Sequence, residues 1–501
     1  MRWREALEPV VMQRVALAAC ADALRDVLVQ AADEGTLQLD DAVPDGDSVG
    51  AATAAARRLG RLQPGDRPAP ALSPQGPDLD RWERLGRLDL VAGEAEVEER
   101  VAQALTRSGV SALVGWVPAD RIPALAHRVG RCGGAVVPLA RPRGLQPPTL
   151  LGETGASRDF APLVETYATV PYADVNPSLL AGLAYVVMFG MMFADAGHGL
   201  LLLIAALVLR WRPRPWMRAG RRVWLFLAGA GLCSIVFGAL YGEVFGPTGV
   251  LPTLWLDPVA SPVELLAASV GVGGVLLAGA YALGTVNRYR EGGWRRAAYA
   301  PSGLAGSTLF LAMVAAVAGA YLGYGALLAA AVVLAVAGLT TAYVGLLARS
   351  GGGAGGAAEA AVELFDLVVR LGSNLVSFAR LAAFGLTHAA LGAVVWDGTT
   401  GLWSGGGLAV IGAVVLFVVG NAVTFALEGL VAAIQALRLE YYELFSRVFD
   451  SEGVPFRPWH VPITTDPVDP VEPATSEPSG GPSTELSTEL STEPLTQEVP
   501  C

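Results

Sequence analysis

The stretch SNLVSFARLAAFGLTHAAL, residues 373–391, sets a full positive charge, Arg380, in an apolar segment long enough to enter a membrane. An ionisable group at bilayer depth costs roughly 2.5 to 3.5 kcal/mol on insertion scales, so it is retained where it faces a partner, a cavity or an ion path. On a helix, Arg370, Ser373, Ser377, Arg380, Thr387 and His388 fall within about a third of a turn of one another. The segment therefore has one polar stripe between lipid-like sides. A second stripe follows in NAVTFALEGLVAAIQALRLEYYELF, residues 421–445, where Asn421, Thr424, Glu428, Gln435 and Arg438 share a helical face. Two long helices, each with an arginine, are thus available to line one pathway. Arg438 is near enough to its helix end to snorkel into the interface, whereas Arg380 has long apolar flanks on both sides.

The composition fits a membrane protein with a soluble portion: of 501 residues, 53% are hydrophobic and 16% charged. Apolar runs long enough to span begin only after about residue 178, so the first third reads as a water-soluble domain. All 35 basic residues are arginine. A Walker-type phosphate loop needs its lysine, so ATP hydrolysis by that route is excluded. Cys20, Cys132, Cys233 and Cys501 show neither CxxC nor Cys/His metal spacing, and no cofactor or metal is expected. The net charge of −11 is mostly local, because eight acidic residues and no arginine follow Arg457. Nothing here points to nucleic acid. At the N-terminus Arg14 interrupts the apolar patch, leaving 15–21 too short for a secretory signal.

In chain order, MQRVALAAC alternates like a strand and ADALRDVLVQAADEG continues as an amphipathic helix ending at Gly35. Residues 41–80 read as a loop around a short alanine-rich helix. The pattern from 89 to 109 is helical, with Glu94, Glu96, Glu98 and Glu99 on solvated faces. The strand VSALVGWVP, the helix PADRIPALAHRVGRCG and the strand GAVVPLA complete a small α/β domain. It holds no catalytic constellation, and His127 reads as a surface residue.

Residues 140–178 connect into the membrane, with prolines and aromatics suited to the interface. The run 179–211, about 50 Å as one helix, exceeds a hydrocarbon core of about 30 Å. A break is expected in FADAGHG, at Asp195 and His198, making a hairpin or re-entrant pair. The arginine-rich segments 210–222 and 287–296 belong on the cytoplasmic side. Further spans are expected at 223–244, 263–285, 302–321, 324–348, 360–396 and 406–440, with WDGTTGLWSGGG outside. The tail carries the repeat STELSTELSTEP, too polar to bury a core, and is expected to be disordered. The division read from the sequence is 1–150 as the α/β domain, 151–178 as the connection, 179–450 as the membrane domain and 451–501 as the acidic tail.

Several of these motifs together resemble the membrane subunit a (subunit I in prokaryotes) of rotary V-type and archaeal-type ATPases. SFARLAAFGLTHAAL resembles the segment carrying that family's essential arginine, and LEGLVAAIQALRLEYYELFSRVF the helix that follows. FGMMFADAGHGLLL resembles its first membrane motif, with Ala194-Asp195 where Gly-Asp is usual, and FGALYGEVFG the next. MQRVALAA, GWVP and PPTLL match its soluble arm. The arm here is short for the family, whose two α/β lobes are joined by a long helical hairpin, and the acidic tail has no family counterpart.

The resemblance implies an α-helical polytopic membrane domain of about eight crossings, the last two long and tilted, after a small α/β cytoplasmic domain. It implies a non-catalytic stator subunit that couples H⁺ or Na⁺ movement to rotation of a proteolipid ring. Arg380 would discharge the ring carboxylates, Glu428 would relay ions, and Arg438 would assist. Asp195, Glu243 and His388 would be further relay groups, with Ser377 and Gln435 beside the path. Expected partners are the proteolipid c/K ring, peripheral-stalk E/G-type subunits, central-stalk or V1/A1 subunits, and membrane lipid, in a prokaryotic cell membrane. A secondary transporter or a structural membrane anchor would also explain polar stripes at membrane depth; the first would show internal repeats, and the second would tolerate loss of Arg380.

Overall fold

The computed structural model describes residues 8–40, 50–62, 68–142, 144–151, 156–211, 223–449 and 453–464. It divides into two compact units, one of Thr149–Pro455 and one of Val10–Pro148 with the segment from Phe456. The arginine-rich 212–222 and the acidic 465–501 lie outside the described residues.

The smaller unit is built on strand β1 (Met12–Cys20), whose alternation turns Val15, Leu17 and Ala19 inward. After a 3-10 turn, α1 (Leu24–Glu34) buries Leu24, Val27, Leu28 and Ala31, the i, i+3, i+4, i+7 face of an amphipathic helix. It stops at Gly35, whose φ of +60° suits glycine and whose N–H bonds Ala31 O. Then come β2 (Gln38–Leu39), α2 (Ala51–Leu62), α3 (Leu79–Leu85), α4 (Leu88–Ala102), β3 (Leu105–Arg107), β4 (Val110–Pro118), α5 (Ile122–Gly130) and β5 (Gly134–Pro138). The antiparallel sheet runs β2-β4-β1-β5, with β3 also on β4.

One expectation for α4 fails. Of its four glutamates only Glu99 is exposed. Glu94 is buried and takes a two-pronged pair from Arg25 at 2.7 Å for each bond. Glu98 accepts the N–H groups of Ala52 and Thr53, capping α2, and Glu96 accepts the indole N–H of Trp459 at 3.1 Å. Helical periodicity alone does not show that a second helix covers the charged side. The helix also ends at Ala102, with β3 occupying residues expected to be helical.

The acidic tail begins later than 451, because residues 456–464 are packed on this unit. Trp459 N–H bonds Leu37 O at 2.9 Å, Val461 N–H bonds Ala32 O at 3.2 Å, and Leu72 exchanges bonds with Pro462 and Thr464 at 2.9 and 2.8 Å. Val461 enters the core with Val15, Leu17 and Leu28. The segment carries Trp, Val and Ile rather than the Ser/Thr/Glu repeat, so it has apolar area to bury.

The larger unit starts with α6 (Ala156–Glu165), then α7 (Ser178–Met192) and α8 (Ala196–Trp211), apolar but short. The expected break therefore falls at 193–195. Among the described residues, six helical spans are long and apolar enough to cross a membrane. They are α9 (Trp224–Tyr241), α10 (Pro262–Tyr299), α11 (Leu304–Leu322), α12 (Gly325–Arg349), the joined pair α13 (Gly353–Ser377) and α14 (Ala379–Trp403), and α15 (Leu408–Leu439) with its extension to Val448. Helix α14 runs through residues 396–403, expected as an outside loop, and turns at Ser404–Gly407, where Gly406 and Gly407 have φ of 65° and 56°. Helix α10 likewise continues through the arginine-rich 287–296, bending at Gly292 and Gly293. Arg288, expected in a loop, is fully buried and pairs with Glu291 at 2.9 Å, while Asn287 accepts the Val175 N–H at 3.0 Å.

The segment 456–464 supplies a testable consequence. Asp33 accepts from Arg128 at 2.7 Å and from the Ile463 N–H at 3.2 Å. Burial pushes its carboxyl up, but these bonds outweigh that and hold it below the usual carboxylate range. The stabilisation is therefore full above the unfolded value of about 4 and is lost as pH falls through the lower folded value. Asp33→Asn should weaken this attachment by about 1 kcal/mol, or about fivefold faster amide exchange at 456–464 at neutral pH. Unchanged exchange would assign the attachment to the other bonds.

Candidate functional site

The break between α7 and α8 is organised by Asp195. Its Oδ1 accepts the His198 N–H at 2.8 Å, the position of an N-cap on the third residue of α8. Its Oδ2 accepts the Gly246 N–H at 2.9 Å, and the adjoining Ala196 N–H bonds Glu243 O at 3.0 Å. Asp195 is wholly buried, so without these donors its charge would be prohibitively costly. The bonds tie the break to the turn after α9, which approaches closely because Gly238 has no side chain: a Cβ there would lie 2.2 Å from Ala196 N.

Capping also fixes His198, 2% exposed, with its Nδ1 3.8 Å from Asp195 Oδ1. Its ring packs against Phe193, Phe245 and Phe425, and lies 5.7 Å from the ring of His388. His388 comes from α14, whose inward face is Leu381, Gly385, His388 and Ala389. Its Nδ1 meets Glu428 Oε2 of α15. Glu243 is buried at the end of the α9 turn. Three carboxylates and two imidazoles are thus gathered among apolar helices, a set that can take up and release protons or hold a cation.

Arg380 stands apart, eight residues or about 12 Å along α14 from His388. Its guanidinium approaches Glu443 at 3.9 Å and stays 32% exposed. That distance is an ion pair without a hydrogen bond. With its amide oriented by its partners, Asn374 donates to Glu443 at 2.9 Å and accepts from Arg447 Nε at 3.2 Å. The π-helix Glu440–Phe445 at the end of α15 makes this junction.

Of the residues read from the sequence, the structure gathers Asp195, Glu243, His388 and Glu428 and leaves Arg380 at a second level. Arg438 is exposed and lies at helical spacing from exposed Val423, Leu427, Leu430 and Ile434, off the face of Glu428. Gln435 is half-buried, and its Oε1 has no hydrogen-bond partner among the described residues. Ser377 donates to Ser373 O at 3.0 Å, within its own helix. His198 had been noticed only as a mark of the break. Glu443 was missed: a regular α-helix sets it about 140° from Arg438, and the π-turn rotates later residues by about 100°. Glu440 was also missed; it is fully buried, and neither carboxylate oxygen has a hydrogen-bond partner among the described residues.

Comparison with known proteins gives a consistent picture. The model of the V-type ATPase 116kDa subunit family matches residues 104–255 and 360–461, just over half of the chain. The A-type ATP synthase subunit I of Aeropyrum pernix is 28% identical over 441 residues, covering 75% of this chain and 62% of that protein. The subunit of the same name from Thermococcus kodakarensis is 26% identical over 398 residues, covering 74% and 57%. The human V-type proton ATPase 116 kDa subunit a 3 is 30% identical over 146 residues, or 27% of this chain and 16% of that protein. The chain thus spans about three-fifths of the length of the first two relatives.

The close approach at Gly238 is the feature most open to test. Gly238→Ala should destabilise the protein by about 2 kcal/mol or more, because backbone at Asp195 and Ala196 must move. Gly271→Ala, at a helical position where a Cβ meets nothing within 4 Å, should be neutral or stabilising by up to about 1 kcal/mol. Thermal unfolding of the two variants in one detergent would compare them, and equal midpoints would refute the packing account.

Proposed function

Since the chain belongs to the V-type ATPase 116 kDa subunit family, we propose that it is the membrane stator of a rotary A/V-type ATPase. In this reading it carries the ion half-channels and couples H⁺ or Na⁺ movement to rotation of a proteolipid ring. The observation that carries it is the pair α14 and α15, which presents an exposed apolar surface with a part-exposed arginine at one level and a half-buried glutamate paired to a buried imidazole at another. Val394, Val418, Leu427 and Ile434 are each more than half exposed. Such a surface suits lipid or an apolar helical partner.

A ring carboxylate in lipid is protonated because desolvation raises its pKa. Arg380, always charged, lowers that pKa on approach and expels the ion, and it blocks direct leakage between entry and exit paths. The Glu443 pairing is loose enough to leave the guanidinium available to a ring carboxylate. Glu428 with His388 forms the relay on one side, and Asp195 with Glu243 holds its far wall. Arg438, at the end of the exposed stripe of α15, assists Arg380 at the ring surface.

In this reading the crossings are even in number, which agrees with the chain leaving the α/β unit after Pro148 and rejoining it at Phe456. The six long spans among the described residues, with α7 and α8 as a re-entrant or hairpin pair, would make eight. The α/β unit would lie in the cytoplasm of a prokaryote and meet peripheral-stalk or central-stalk subunits.

Vesicles holding the assembled complex test the assignment through ATP-driven ion uptake. Arg380→Gln should reduce uptake by more than about tenfold with assembly intact, and Glu428→Gln should lower it less. Wild-type uptake by an assembled Arg380→Gln complex would make the arginine structural and remove the central support of this reading.

A further inference from the structure

We propose that Glu440 is a proton-carrying residue on the cytoplasmic side of the path past Arg380, a role that rests on the stator reading and narrows its ion to H⁺. Glu440 is fully buried, and neither carboxylate oxygen has a hydrogen-bond partner among the described residues. Two phenols, Tyr185 of α7 and the adjoining Tyr441, couple to it electrostatically. Neither bonds it: the Tyr185 hydroxyl donates to Ala433 O at 3.2 Å and the Tyr441 hydroxyl to Leu163 O at 3.1 Å. The nearby charges of the same stretch are engaged elsewhere, Glu443 with Arg380 and Arg447 over the ring of Tyr281. An acid left without bonds among apolar helices is costly to keep. Ionisable groups inside membrane segments mark proton relays.

Its place on the last helix supplies what the relay of His388 and Glu428 leaves out. Two half-channels need an exchangeable group on each side of the fixed arginine, and Glu428 with His388 serves only one. Glu440 lies about 18 Å further along α15 than Glu428, at the end where Glu443 meets Arg380. It opens the π-turn that carries Glu443, and π-turns within helices occur frequently at functional sites. That turn packs on α7 and α10, which sets the carboxyl on the inner side of α15, whereas Arg438 is exposed. In the pumping direction the Glu440 carboxylate takes a proton from cytoplasmic water. Its O–H bond then breaks as the same proton passes to the ring carboxylate leaving Arg380, and Glu440 is a carboxylate again. Hard cations are held by several oxygen ligands at once, which a lone carboxyl among apolar side chains does not supply, so the ion this group carries is H⁺.

ATP-driven proton uptake in vesicles holding the assembled complex tests this. Glu440→Gln, which keeps the shape but releases no proton, should lower uptake at least about fivefold. Glu440→Asp, which keeps the acid, should retain more uptake than Gln. A packing role reverses that order, because Gln fits the site better than Asp. Uptake in Gln equal to or above that in Asp, or at the wild-type level, would overturn the proposal. Thermal unfolding of Glu440→Leu as the purified chain in detergent needs no assembly. Removing an unpartnered buried carboxyl should leave the midpoint at or above that of wild type, and a lower midpoint would make the carboxyl structural and also overturn the proposal. Arg380→Gln in the same vesicles separates the two readings. Retained uptake there removes the stator assignment, whereas its loss beside wild-type uptake in Glu440→Gln removes only the role of Glu440.

Discussion

A carboxylate enclosed among apolar helices must receive its hydrogen bonds from the protein itself, and the arrangement of the larger unit depends on how this is done for Asp195. Its two oxygens are taken by the N–H of His198 and the N–H of Gly246. The first bond starts α8; the second draws in the turn after α9. Only because Gly238 lacks a side chain can that turn come close enough. Once the break is fixed, His198 is held beside His388, and His388 reaches Glu428 on the last helix. One buried carboxyl group therefore links four membrane-unit helices.

The two polar levels of α14 and α15 differ in character. At the His388 and Glu428 level a buried imidazole pairs with a half-buried carboxylate. At the Arg380 level the guanidinium is part-exposed and its carboxylate partner lies at the limit of an ion pair. A tightly paired arginine would gain little from a further carboxylate, because its field is already compensated. A loosely paired one retains attraction for an anionic group arriving from the exposed side. In the proposed stator this contrast would place fixed charge at one level and exchangeable protons at the other.

The α/β unit shows the same economy on a smaller scale. Glutamates that a helical wheel assigns to water instead pair with Arg25, cap α2 and hold Trp459. The segment 456–464 completes the unit by filling its core with Val461 and supplying backbone bonds to residues 32, 37 and 72. It follows the membrane unit in sequence, so the α/β fold is assembled from both ends of the chain.

Periodicity alone determined much of this protein. Alternation in MQRVALAAC and VSALVGWVP marked the central strands, Gly35 marked a helix end, and apolar run lengths placed α9, α11 and α12 to within three residues, whereas α10 and the α13–α14 pair run well past their apolar windows. The excess length of 179–211 marked the break at Asp195, and the charges marked Arg380, His388 and Glu428. These are local properties, set by side-chain spacing along one element. Which polar groups meet was decided only by tertiary structure. Arg438 and Glu428 sit on one broad stripe, yet packing half-buries Glu428 and leaves Arg438 exposed. His198 joins His388 only when α8 is set against α14, and Glu443 reaches Arg380 only because a π-turn rotates the end of the last helix. The physical reason is common to all three: a helical pattern reports the direction of a side chain about its own axis, whereas a contact also needs the position of another helix, fixed by close packing at residues such as Gly238 and Gly385.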